Sequence, residues 1–140
     1  MLAIAKSSTS DKTSINILPC RISHNGPTKV TRRYWQPRTE ADNTRTAHFR
    51  GRRLRGRVVR VPEKYQGLVL KTTDKTIIEP VMPTEEDEEP ELPEPVKLMD
   101  EVAIFDEMVV WGHDQVPASD DTLVKGAEEW IAFAEAIHSR

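Results

Sequence analysis

One cysteine, Cys20, stands in a chain of 140 residues, so no intrachain disulfide can form and no cluster of thiolates can hold a metal. Long apolar runs are missing too. The longest, such as Val102 to Phe105 and Met108 to Trp111, fall far short of the roughly 20 residues that cross a bilayer, which excludes a membrane-spanning helix. Apolar material is scarce overall: with glycine counted and tyrosine left out it makes up about 40 %, against roughly 45 to 50 % in a typical globular chain. Ordering the backbone costs roughly 1 to 2 kcal/mol per residue. A chain this lean is therefore expected to leave segments disordered, to complete its core against a partner, or both. Met1 to Ser10 lacks the basic start and apolar stretch of a secretory signal, and the expected setting is a reducing one, cytosol or nucleus.

What is present in excess is charge, and it is unevenly placed. Residues 1–75 hold 17 Lys/Arg against 5 Asp/Glu, a net of +12, while residues 76–140 hold 3 against 18, a net of −15. Such a division fits a nucleic-acid face on the basic part, or two parts that neutralise one another, and charge alone does not separate the two.

The length gives one domain, and the pattern is mainly β. Met1 to about Lys12 has no periodicity and reads as a disordered terminus, leaving a single domain over residues 13–140. Ile15, Ile17 and Ile22 alternate as in a half-buried strand, with Pro19 placing it at an edge or kinking it. His24-Asn25-Gly26-Pro27 has turn chemistry, so Thr28 to Trp35 reads as the return strand of a hairpin. Further strands are expected at Ala47 to Arg50, at Arg55 to Val61, and from Leu68 to near Ile78, punctuated by Gly51, Gly56 and Gly67. Short strands spaced about ten residues apart favour a small barrel over an alternating α/β fold. The stretch at about 79–97 carries seven carboxylates between Glu85 and Glu94 and a proline every few residues, and reads as a disordered acidic loop. Beyond it, Val102 to Trp111 reads as one buried strand, Gly112 to Asp121 as a loop, and Ala127 to His138 as a helix. In that helix Trp130, Phe133, Ala134 and Ile137 share a stripe, and Glu128 and Glu129 sit in the first turn.

The densest local feature is Phe49 to Arg60, FRGRRLRGRVVR, with arginines at 50, 52, 53, 55, 57 and 60. Guanidinium groups bind phosphate bidentately, so this comb, flanked by Arg32, Arg33, Tyr34 and Trp35, is a candidate nucleic-acid surface. Pairing with carboxylates of a partner or of the acidic half is the other reading. Catalytic chemistry finds no support. Two-metal hydrolysis needs rigidly held carboxylates, whereas the acidic run is broken by prolines, and Asp106 and Glu107, adjacent on a strand, point to opposite faces. His24, His48, His113 and His138 have no zinc-ligand spacing among themselves or with Cys20. Cys20, with no base beside it, reads as a small buried side chain. Neither phosphate-loop fingerprint is present.

The order of several motifs carries more information than any one of them. LPCRI (Leu18 to Ile22), NGP (Asn25 to Pro27), YWQP (Tyr34 to Pro37), FRGRRLRG (Phe49 to Gly56) and VVRVPEKYQGLVL (Val58 to Leu70) together resemble the C subunit of the eukaryotic type-2 ribonuclease H. The likeness continues in a strand ending Trp-Gly at Val109 to Gly112, and in Val124 to Trp130 and Ala134 to His138, the last slightly less Ala-rich than the family text. The resemblance implies a non-catalytic subunit whose strands interweave with the B subunit in a triple barrel that docks on the catalytic A subunit. It places magnesium in the catalytic subunit and no cofactor in this chain. It implies a nuclear complex that degrades the RNA of RNA/DNA hybrids and removes ribonucleotides embedded in DNA. On this reading Phe49, Arg50, Gly51, Arg52, Leu54, Arg55 and Gly56, with Trp111 and Gly112, form a partner interface or its structural support. Arg32, Arg33, Arg53 and Arg57 are the candidate nucleic-acid contacts, and an independent nucleic-acid-binding β-barrel is the alternative.

Overall fold

The computed structural model describes residues 1–7, 11–30, 32–78 and 95–138. In chain order the elements are β1 (Leu2–Ala5), β2 (Asp11–Lys12), β3 (Ile15–Ile17), β4 (Arg38–Thr39), β5 (Arg45–Phe49), β6 (Arg52–Arg60), β7 (Gly67–Ile78), β8 (Pro95–Phe105), β9 (Glu107–His113) and α1 (Thr122–His138). The chain is mainly β, as its pattern of strands predicts, but it divides into two compact units: Met1–Thr13 with Gln66–Phe105, and Ser14–Tyr65 with Asp106–Arg140.

The first unit is a sheet built around β8. On one side β8 pairs antiparallel with β7, and on the other it pairs parallel with β1 and β2, in the registers Leu2↔Lys97 and Asp11↔Ala103. Thr, Val, Leu and Ile in β7 suit a pleated, half-buried surface, and two register shifts, after Val69 and after Thr72, bend it. Gly67 is required where it stands, because a Cβ there would lie 2.5 Å from both the ring and the carbonyl oxygen of Phe105. Among the described residues of this unit, Val96 and Ala103 are its buried hydrophobic side chains.

In the second unit the strand order is β3-β9-β6-β5-β4, with β3 parallel to β9 and the rest antiparallel. Alternation along the strands divides its side chains between two faces. One face carries Ala47, Leu54, Val109 and Trp111, against which Leu18, Trp35, Phe49 and Val58 pack. Trp35 lies edge-on to both Trp111 and Phe49, at centroid distances of 5.3 and 6.1 Å, the geometry the ring quadrupoles favour. The opposite face places Val59 and Val110 under α1, where Val124 is buried with Ala127, Ile17 and Met108 beside it. Among the described residues both sheets are open, and neither closes into the barrel that strand spacing suggests.

Several expected elements differ. The N-terminal residues expected to be disordered supply β1 and β2, whose backbone groups find partners on β8. The hairpin of Ile15 to Ile22 with Thr28 to Trp35 does not form. β3 stops at Ile17, just before Pro19, and its ladder partner is β9, so residues 28–30 and 32–35 have no strand to pair with. Val102 to Trp111 is two strands in separate sheets, divided at Asp106. The helix begins five residues earlier than periodicity suggests, because Asp121 caps it: the Leu123 amide donates to Asp121 Oδ1 at 3.0 Å. Glu128 and Glu129 therefore lie inside the helix rather than in its first turn. Of the expected acidic loop, residues 79–94 lie outside the described residues, and Pro95, Val96 and Lys97 belong to β8.

Candidate functional site

The arginine-rich run is a β-hairpin. Phe49 of β5 faces Arg52 of β6, and the two residues between them, Arg50 and Gly51, both have positive φ, 51° and 75°. A two-residue loop with both φ values positive is the type I′ turn, whose twist matches that of the flanking strands. Gly51 takes this conformation without cost, whereas Arg50 does not. The Arg50 guanidinium folds back to 5.2 Å from the centroid of the Phe49 ring, within cation–π range.

Beyond the turn, the pleat separates the arginines. Arg52 shares a face with Leu54 and Gly56, while Arg53, Arg55 and Arg57 point to the α1 side. Leu54 is 2 % and Trp111 3 % exposed, so these two residues support the site and do not form its surface. Gly56 has the same role: a Cβ there would lie 2.6 Å from Val109 Cγ1 and 3.0 Å from Trp111 Cε3. Gly112 closes the turn after β9, where a Cβ would meet the carbonyl oxygen of Gln115 at 2.5 Å. Arg57 Nε donates to the carbonyl of Pro117 at 2.6 Å. Arg55 lies 3.9 Å from Asp42. The Asp42 carboxyl is held below the usual carboxylate range, first by the Thr44 hydroxyl, which donates to it at 2.6 Å, then by the Thr44 amide at 3.1 Å, with a smaller contribution from Arg55. Arg45 pairs with Glu107 at 2.9 Å. Arg55 and Arg57 are thus committed within the chain.

Of the four candidate nucleic-acid contacts, the structure brings together Arg33 and Arg53. They line one concavity of about 430 Å³ together with Tyr34, Gln36, Arg38, Glu40, Thr46 and His48. Arg32 does not line it, and Arg57 is bound to Pro117. Arg38 and His48 are the members that sequence reasoning missed. The signal is strand register: Arg38 is opposite Thr46 and His48 is opposite Arg53, which puts all four on one face. No run of residues in the sequence reveals that.

Among the described residues no group of three or more His, Cys, Asp or Glu side chains is placed to hold a metal. Glu107 is engaged with Arg45. Cys20 is exposed rather than buried, because the chain leaves the sheet at Pro19 and residues 20–30 lie on the surface. Among the described residues no helix is long and apolar enough to cross a membrane.

Comparison with known proteins agrees with the motifs. The family described as ribonuclease H2 non-catalytic subunit matches residues 14–137. The C subunit of ribonuclease H2 from Bos taurus is 33 % identical over 135 residues, covering 91 % of this chain and 81 % of that protein. Its counterpart from Mus musculus is also 33 % identical, over 137 residues, with 90 % and 81 % covered. An uncharacterized protein of Schizosaccharomyces pombe is 28 % identical over 141 residues, with 98 % and 90 % covered. The match over residues 14–137 and the 33 % identity to two C subunits across most of the chain carry the assignment: the chain belongs to the family of the non-catalytic C subunit of ribonuclease H2.

Proposed function

We propose that this chain is the accessory scaffold of a heterotrimeric, nuclear type-2 ribonuclease H: it forms a complex with a B subunit, and that complex supports the catalytic subunit. The assembled enzyme degrades the RNA of RNA/DNA hybrids and removes ribonucleotides embedded in DNA, with magnesium held by the catalytic subunit. The observation that carries this reading is the unfinished apolar surface. Trp130, Phe133 and Ile137, one stripe of α1, are 72 %, 57 % and 57 % exposed, and both sheets have open edges. Exposed apolar stripes and unpaired strand edges invite association. A freestanding nucleic-acid-binding barrel would close its sheet and bury such a stripe.

Co-expression resolved by size tests it. The chain is produced alone, then with B and catalytic subunits, and each peak is assayed on a duplex carrying one ribonucleotide. Activity confined to the ternary peak is expected. A stable lone chain that cleaves the duplex, or a ternary mixture that never assembles, refutes the proposal.

A further inference from the structure

The concavity on the α1 side of the second unit gathers basic side chains that are not used in pairing among the described residues. Three arginines line it from separate segments: Arg33 from the turn before Trp35, Arg38 from β4 and Arg53 from β6. Among the described residues none of their side chains enters an ion pair or hydrogen bond. Their neighbours behave differently. Arg45 pairs with Glu107 at 2.9 Å, and Arg55 lies 3.9 Å from Asp42 of the turn between β4 and β5. Glu40, the carboxylate on the wall among the described residues, accepts the Thr46 hydroxyl at 2.7 Å instead. Gathering unpaired cations opposes folding by self-repulsion, and an anionic ligand relieves that repulsion.

We propose that Arg33, Arg38 and Arg53, with His48 and Gln36 as further donors, bind the phosphate backbone of a nucleic acid. The inference rests on the function proposed above and names the part of this subunit that meets the substrate. Planar guanidinium forks match phosphate oxygens bidentately, and three of them around one hollow suit successive phosphates better than a single carboxylate. Tyr34, 69 % exposed, also lines the hollow. Its ring offers a sugar or an unpaired base a flat apolar contact, the pairing of cation and aromatic common in sequence-independent binding. Contacts of this kind go to the backbone and carry no sequence information directly.

The test uses the assembled three-subunit enzyme and a duplex with one ribonucleotide, titrated by fluorescence anisotropy at several salt concentrations and assayed at steady state. The double variant Arg38→Ala/Arg53→Ala removes two phosphate contacts. Its slope of log affinity against log salt becomes shallower by about 2, at roughly 0.9 per phosphate. Its KM rises about tenfold at low salt with kcat unchanged. Arg38→Lys/Arg53→Lys retains most of the slope. Lys64→Ala, at an exposed lysine outside the arginine comb and the hollow, leaves slope and KM as they were. Unchanged slope and KM in the double alanine variant overturn the site, as does an equal effect of Lys64→Ala. Loss of assembly in the double alanine variant, restored by the lysine pair, also overturns it, because the hollow is then filled by a partner's carboxylates. A wild-type chain that never enters an active complex instead refutes the function proposed above. In that case the same titration on the wild-type and variant chains alone decides the site.

Discussion

The indole N–H of Trp111 donates to Asn16 Oδ1 at 3.0 Å, joining the centre of β9 to the edge strand β3. Trp111 is nearly inaccessible to water, so losing the acceptor leaves a buried donor unsatisfied, at a cost of about 1 to 3 kcal/mol. Asn16→Ala is expected to destabilise the second unit by that amount, and Asn16→Asp, which keeps an acceptor, by less. Denaturant unfolding followed by tryptophan fluorescence measures both. Equal stability of Asn16→Ala and wild type would remove the bond from the account.

Two glycines predict opposite outcomes for the same substitution. Gly56→Ala drives a methyl to within 2.6 Å of Val109 Cγ1 and against the Trp111 ring, an overpacking that costs roughly 1 to 3 kcal/mol. Gly126 lies inside α1, and a Cβ there would have nothing within 4 Å of it, so Gly126→Ala stabilises by about 0.5 to 1 kcal/mol through helix propensity. The thermal midpoints of the two variants should move in opposite directions.

The hairpin turn separates backbone from side-chain roles at Arg50. Asn at the first position of a type I′ turn accepts positive φ better than Arg does, so Arg50→Asn is expected to hold or slightly raise stability despite losing the contact with Phe49. Gly51→Val, at φ 75°, is expected to lower it by roughly 1 kcal/mol or more. If the Arg50 guanidinium belongs to a subunit interface, Arg50→Asn weakens assembly while the melting curve of the chain stays in place; a joint fall in both would make its role structural.

How much of this was legible in the sequence differs by residue. The Phe49–Gly56 motif, the mainly β pattern and the apolar stripe of α1 are local, readable from spacing and turn chemistry. The pairing of β3 with β9 joins residues far apart in the chain, and nothing near Ile15 announces that its partner is Met108. Val102 to Trp111 looked continuous because its apolar residues are; only the backbone shows the bend at Asp106 that sends the two halves to different sheets. For the concavity, two of its three arginines, Arg33 and Arg53, stood in the basic runs and were readable, whereas Arg38 was not. The same reading also admitted Arg57, and no feature of the sequence near it shows that its guanidinium donates to the carbonyl of Pro117.

Asp42 is held in its charged form by its neighbours. Its carboxyl titrates below the ordinary value of about 3.9, chiefly through the Thr44 hydroxyl and amide. A lowered folded-state pKa means that the stabilisation is complete above the unfolded value and fades as pH falls through the folded one. The carboxyl is fully exposed, so the effect on overall stability is small. Carbon-detected NMR titration should place Asp42 below an unstructured aspartate, with Thr44→Val moving it back up. A normal midpoint in the wild-type chain would remove the Thr44 bonds from solution.

The stripe of α1 gives the sharpest test of what the chain does. Trp130 and Phe133 meet edge to face at a centroid distance of 6.0 Å, while the helix is anchored to its sheet by Val124 and Ala127. The two sets of residues therefore separate folding from association. Trp130→Ala and Phe133→Ala remove exposed side chains and are expected to change the stability of the chain by no more than about 0.5 kcal/mol. In the complex each removes a large aromatic contact of the kind that dominates interfaces, and a loss of roughly 2 kcal/mol or more in subunit affinity, about thirtyfold, is expected. Val124→Ala should do the reverse, destabilising the fold by about 1 to 3 kcal/mol with assembly affected only through loss of folded chain. Unfolding curves and sedimentation of the reconstituted complex, measured on the same three variants, distinguish these patterns. If Trp130→Ala leaves assembly intact, the exposed stripe is not the surface by which this subunit meets its partners.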